Sequence, residues 1–188
     1  MITVLTIIVV LYLLLIISLT LGLRWLPAFE PDKSEPETSF SIVVVFRNEK
    51  DQLPDLINHL GQLNYPSDKF EVLLINDGSD DGSLEILKTL ENNTPALKLR
   101  TLELEIASRS PKKDALELGA REAAFDWIIT TDADCKMGPD YLSAYDQFLK
   151  KQPARMVAGP VICDAGDSFL HRFQSLDFLS LQAVSYTH

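Results

Sequence analysis

The chain has 188 residues and a formal net charge of −10, room for one domain of ordinary size beside a short anchor. So acidic a balance argues against a nucleic-acid surface, and a polyanionic ligand would have to be held by a few placed cations or by a metal. The two cysteines, Cys135 and Cys163, and the scattered histidines His59, His171 and His188 form neither a disulfide framework nor a Cys/His metal spacing; reduced thiols and structural or exposed histidines are expected.

Residues 1–23 contain no charged side chain and are dominated by Leu, Ile and Val. At about 1.5 Å per residue such a helix reaches across a hydrocarbon core of roughly 30 Å. The stretch lacks the basic start and small-residue cleavage site of a signal peptide, so a retained transmembrane helix is predicted. Arg24 and Lys33 follow it, which places the C-terminal side in the cytosol, and Trp25 suits the interface. The expected localisation is the cell membrane, single-pass, with a cytoplasmic domain. Residues 24–39 turn to Pro, Glu, Asp, Lys and Ser and read as a linker. Residues 40–188 form the remaining domain.

Residues 40–46 are near-continuously apolar, as in a strand buried on both faces, and end in Arg47-Asn48-Glu49. Leu53, Leu56, Ile57, Leu60 and Leu63 recur at helical spacing, with Asp51 as a candidate N-cap. A second strand over 70–75 runs into Asn76-Asp77-Gly78-Ser79-Asp80-Asp81-Gly82-Ser83, and Leu84, Ile86, Leu87 and Leu90 give another helix. A third, edge-like strand is predicted over 98–104, a polar loop over 107–111, and an Ala/Leu/Glu-rich helix over 112–124. The β-branched run 127–131 reads as a buried strand that stops at Asp132-Ala133-Asp134. A helix over 140–150 with Pro139 in its first turn, a strand over 155–161 and a helix over 168–186 complete the chain.

Strands alternating with helices predict a mainly parallel sheet flanked by helices. In such a sheet the clusters Arg47-Asn48-Glu49, Asp77-Gly78-Ser79 and Asp132-Ala133-Asp134 leave by the same edge, where ligands collect. Each cluster alone reads as a capped turn; together they read as a cleft. Asp132 and Asp134 repel one another unless a proton or cation lies between them, and a divalent metal holding a phosphorylated substrate fits that need. The dinucleotide fingerprint, the P-loop and the Gly-x-Ser-x-Gly elbow are all absent, and the Asp77–Asp81 loop lacks the closing Glu of an EF-hand.

Four segments in order carry a family resemblance: Val44-Val45-Phe46-Arg47-Asn48-Glu49, the Asn76 to Ser83 loop, Lys112-Lys113-Asp114-Ala115-Leu116-Glu117, and Thr131-Asp132-Ala133-Asp134-Cys135. Over residues 40–161 the chain resembles the inverting, nucleotide-sugar-dependent glycosyltransferases of family 2, with the GT-A fold, a Rossmann-like α/β architecture. The resemblance implies that Phe46, Asn48 and Glu49 border the nucleotide cleft and that Asp77 contacts the base or ribose. It implies that Lys112 approaches the diphosphate, with Lys113 as the alternative. Asp132 and Asp134 would bind Mg²⁺ or Mn²⁺ bridging the donor's phosphates. Two departures are visible: Asn76 stands where an aspartate is common, and Glu117 where an asparagine is.

By the same resemblance, the donor is a nucleoside-diphosphate sugar and the acceptor a glycan or lipid-linked hydroxyl, as in cell-envelope polysaccharide synthesis. Inversion requires a general base to deprotonate that hydroxyl. The family's base motif is not found; Asp164, Asp167 and Asp177 lie in the right direction without matching context. The expectation is therefore a donor-binding half that is C-terminally incomplete. The rival reading is a non-catalytic or degenerate nucleotide-sugar-binding module. A phosphosugar nucleotidyltransferase is disfavoured because Arg47-Asn48-Glu49 carries no glycine.

Overall fold

The computed structural model describes residues 2–25, 34–104, 110–162 and 168–185, and it divides into two compact units, Met1–Phe148 and Leu149–His188. In the first unit, β1 (Phe40–Phe46), β2 (Phe70–Asn76), β3 (Leu99–Glu103) and β4 (Trp127–Asp132) form one sheet in the order β3-β2-β1-β4, with every pairing parallel. The helices between them are α2 (Leu53–Gly61), α3 (Ser83–Asn93) and α4 (Pro111–Glu122); α5 (Tyr141–Lys151) follows β4. This is an α/β, GT-A-like architecture, and the parallel sheet read from the alternation of strands and helices is present.

The central strands β1 and β2 are buried almost throughout, which explains their unbroken apolar sequences. The chain steps outward from β1 to β2 to β3, then crosses back to place β4 on the other side of β1. A right-handed crossover in the reverse direction puts its helix on the opposite face. Accordingly, α4 packs on β1 and β2, where Ala115 joins Val43, Leu73 and Ile75 in one buried cluster, while α2 and α3 pack together. Gly119 makes the α4 contact possible: a Cβ there would lie 2.4 Å from Val43 Cγ1.

Several expectations are corrected. The run 127–131 is an edge strand, with alternating half-buried and exposed residues, because the described strands flank it only on the β1 side. Residues 155–161 form no strand; Met156 is 84% exposed, so the run lacks the burial that would repay its ordering. Asp51 does not cap α2: Gln52 holds the N-cap position without a side-chain bond, and the carbonyl of Glu49 accepts from the N–H groups of Gln52 and Leu53 instead.

Helix α1 (Ile2–Trp25) was expected to span a membrane. Among the described residues no helix is long and apolar enough to do so. Residues 3–19 form an unbroken run of uncharged, mostly apolar side chains within α1. The apolar side chains of that run are exposed. Half of the predicted linker, residues 26–33, lies outside the described residues, but its end is fastened. The N–H groups of Glu37 and Thr38 donate to Asp146 Oδ1 (3.1 and 2.8 Å), and Tyr65 Oη donates to the Thr38 carbonyl (2.6 Å). Burial, with Asp146 nearby, pushes the Tyr65 phenol well above its usual range. In the second unit, α6 (Phe169–Ser185) exposes Phe169, Leu170, Phe173 and Phe178.

Candidate functional site

The strand order reverses between β1 and β4, and in open parallel sheets ligands bind outside the carboxyl ends of the strands at such a point. The register puts the polar clusters there. Phe46 pairs with Asn76, Val45 pairs with Asp132, and the N–H of Asp77 donates to the Phe46 carbonyl (3.0 Å). The β2 and β4 ends stand two strand spacings apart, about 10 Å.

The β1–α2 and β2–α3 loops are laced into one wall. Asn48 adopts a left-handed conformation (φ 57°), which asparagine tolerates better than most residues. Its N–H donates to Ser79 Oγ (3.0 Å), and its Oδ1 accepts from the Asp80 N–H (2.9 Å). The Glu49 N–H donates to Ser83 Oγ (3.1 Å) and the Lys50 N–H to Asp81 Oδ2 (3.0 Å). Asn76 is buried, and its Oδ1 accepts from the Ser79 N–H (2.9 Å), closing the turn that Gly78 takes at φ 70°. The amide found in place of the common aspartate thus serves as an acceptor without burying a charge. Hydrogen bonds from Ser83 and the Lys50 N–H hold the Asp81 carboxyl below its ordinary value. Asp77 is left half-exposed on this wall.

On the other side, β4 ends in a turn closed by the Cys135 N–H donating to the Asp132 carbonyl (3.3 Å). Ala133 is buried between Asp132 and Asp134, whose side chains are exposed. Lys112, in the first turn of α4, reaches across, and its Nζ lies 2.7 Å from Asp132 Oδ1.

Of the sequence-predicted residues, the structure joins Lys112 to Asp132 directly and ties Asn48 and Glu49 to the Asp77 loop. Phe46 is 2% exposed, so its ring belongs to the core while its carbonyl fixes Asp77. Asp164 and Asp167 lie outside the described residues, as does the Asp177 side chain. Sequence reading missed Ser79 and Ser83 as the laces and Gly119 as the close approach of α4. The serines follow each glycine of the loop, a turn-forming pattern that could have flagged them.

Among the described residues, no three His, Cys, Asp or Glu side chains gather as a metal cage. Asp132 and Asp134 offer hard oxygen donors, the type that suits Mg²⁺ or Mn²⁺, and a site of one or two carboxylates is ordinarily completed by water and substrate phosphate. The donor set fits that kind of ion.

The fold and this arrangement define an α/β, GT-A-like domain with a polar cleft at the carboxyl ends of its parallel strands. The family model Glycosyl transferase family 2 matches residues 41–183, and the chain belongs to that family. It is 26% identical over 136 residues to poly-beta-1,6-N-acetyl-D-glucosamine synthase of Staphylococcus aureus (strain MSSA476), covering 71% of this chain and 31% of that protein. The Staphylococcus epidermidis protein of the same name is 26% identical over 143 residues, covering 75% and 33%. The chain therefore spans about a third of the length of these curated relatives. Among solved structures, mannosyltransferase PcManGT from Pyrobaculum calidifontis, in complex with GDP-Man and Mn2+, superposes with a TM-score of 0.59 at 27% identity, over 69% of this chain and 38% of that one. S. aureus TarS 1-349 gives 0.54 at 22% identity, over 68% and 40%, a likeness of fold.

Proposed function

We propose that this chain carries the donor-binding half of a membrane-anchored glycosyltransferase that moves a sugar, with inversion, from a nucleoside-diphosphate sugar to a glycan or lipid-linked hydroxyl in cell-envelope polysaccharide synthesis. The observation that carries the reading is the convergence of the Asp77 loop, the Asp132–Asp134 turn and Lys112 at the carboxyl ends of neighbouring parallel strands. The laced wall receives the nucleoside, with Asp77 as the polar contact to base or ribose and Asn48 and Glu49 holding the wall's shape. Asp132 and Asp134 hold the Mg²⁺ or Mn²⁺, and Lys112 faces the diphosphate. When bound, the cation neutralises charge that develops on the departing diphosphate. The mannosyltransferase bound to GDP-Man and Mn2+ and the poly-N-acetylglucosamine synthases support the reading. Residues 1–23, which carry no charged side chain, are the anchor in this proposal, with the α/β domain on the cytoplasmic side.

The test is calorimetric titration of the full chain with UDP-GlcNAc and GDP-Man, with and without Mn²⁺, in wild type and Asp132→Asn. Binding that needs Mn²⁺ and weakens at least about tenfold in the variant is expected. Binding indifferent to both metal and substitution would overturn the metal–diphosphate arrangement.

A further inference from the structure

Lys112 stands where a helix gives it no welcome. The first turn of α4 carries the positive end of the helix dipole, which disfavours a cation, and no side chain caps it. What the structure offers the ammonium instead is Asp132 Oδ1 at 2.7 Å. The close seating of Gly119 on Val43 holds α4 against β1, and the pairing of β4 with β1 holds Asp132. Reach between the two side chains is thereby set by the core of the domain.

From this geometry we infer that Lys112 is a built-in stand-in for the metal: without ligand it occupies Asp132, and the diphosphate of the incoming donor draws it away and opens the carboxylate to the divalent cation. The inference rests on the donor-site reading above and adds a regulation to it. Ammonium and dication seek the same carboxylate, so their occupancies oppose one another. The diphosphate attracts both, and moving Lys112 from carboxylate to phosphate costs little because the pair is exposed, at 64% and 59%, and screened by water. Metal alone then binds weakly, nucleotide and metal bind with positive cooperativity, and by linkage each raises the affinity of the other by the same factor.

The experiment measures Mn²⁺ affinity by the electron paramagnetic resonance of free Mn²⁺, on the full chain, with and without UDP, in wild type, Lys112→Met and Lys113→Met. Lys113 controls for the loss of one positive charge from the same helical turn. Without UDP, Lys112→Met is expected to bind Mn²⁺ roughly two- to fivefold more tightly than wild type, the range expected for release of an exposed ion pair. Lys113→Met should gain clearly less, and the factor by which UDP tightens Mn²⁺ should shrink only in Lys112→Met. Equal gains in the two variants, or no gain in Lys112→Met, while wild type still binds Mn²⁺ with UDP, would overturn the stand-in role and leave the donor-site reading intact. Absence of UDP-dependent Mn²⁺ binding in all three proteins would overturn both.

Discussion

The two ends of the sheet use carboxylates in opposite ways. At the amino ends, Glu71 is 5% exposed and its Oε1 is doubly bonded: it accepts from Ser41 Oγ (2.7 Å) and the Ala124 N–H (2.6 Å), and Ser41 Oγ accepts in turn from the Phe125 N–H (3.1 Å). Arg100 Nη1 lies 3.9 Å from it, and the same guanidinium is bonded to Glu122. At the carboxyl ends, Asp132 and Asp134 are exposed, and Asp132 pairs with a flexible lysine, Lys112. The buried carboxylate fastens the α4–β4 turn and so the frame. The exposed ones keep their lone pairs exchangeable, the state that ligand chemistry requires. Burial with fixed backbone and hydroxyl partners against exposure with a replaceable partner is how the same functional group is assigned to fold or to site.

Breaking the frame should have the largest effect. Glu71→Ala strands the Ser41 hydroxyl and the Ala124 N–H in the interior, and one unsatisfied buried group costs about 1–3 kcal/mol. A loss of about 3 kcal/mol is expected in urea unfolding, and Glu71→Gln, which keeps an acceptor oxygen, should lose less. Next comes Gly119→Ala, whose Cβ would meet Val43 Cγ1 at 2.4 Å. Overpacking of this kind costs about 1–3 kcal/mol, and Val43→Ala in the same chain should recover part of it in a double-mutant cycle. At the other end, Asp132→Asn should change stability by less than about 0.5 kcal/mol, since the lost pair is exposed, while removing the metal-dependent part of nucleotide binding. A variant that unfolds and one that only stops binding would separate frame from site.

How far the sequence discloses this contrast depends on what each residue's role rests on. The strands β1 and β2 are legible because burial on both faces demands an unbroken apolar run, and the polar clusters at their ends follow from parallel topology. Strand β4 misleads: Trp127 to Thr131 is as apolar and β-branched as a central strand, yet edge position is a property of neighbours that local composition does not encode. Residues 155–161 fail for the same reason, since a strand exists only with a partner. Glu71 hides because a charged residue inside an apolar run reads as an interruption; its acceptors' partners, Ser41 and Ala124, lie 30 and 53 positions away. Gly119 in a helix reads as a weak point until the facing Val43 is known. Lys112 and Asp132 were visible as members of separate motifs; their contact follows from α4 crossing back over β1.

The smallest effect concerns the laced wall. Asp81 accepts from Ser83 Oγ, the Ser83 N–H (3.0 Å) and the Lys50 N–H (3.0 Å), and these bonds lower its pKa from the ordinary 3.8. A group whose folded pKa is depressed contributes stability that is complete above its unfolded value and fades as pH falls through the folded one. The lacing should therefore be at full strength above about pH 4 and loosen only in stronger acid. Because Ser83 Oγ also accepts the Glu49 N–H, protonating Asp81 should disturb the β1–α2 loop as well. The check is the amide resonances of Asn48, Glu49 and Lys50 between pH 5 and pH 3: they should shift together in wild type, and that shift should vanish in Asp81→Asn. Shifts of these amides that persist in Asp81→Asn would assign the acid response elsewhere and confine Asp81 to the turn that leads into α3.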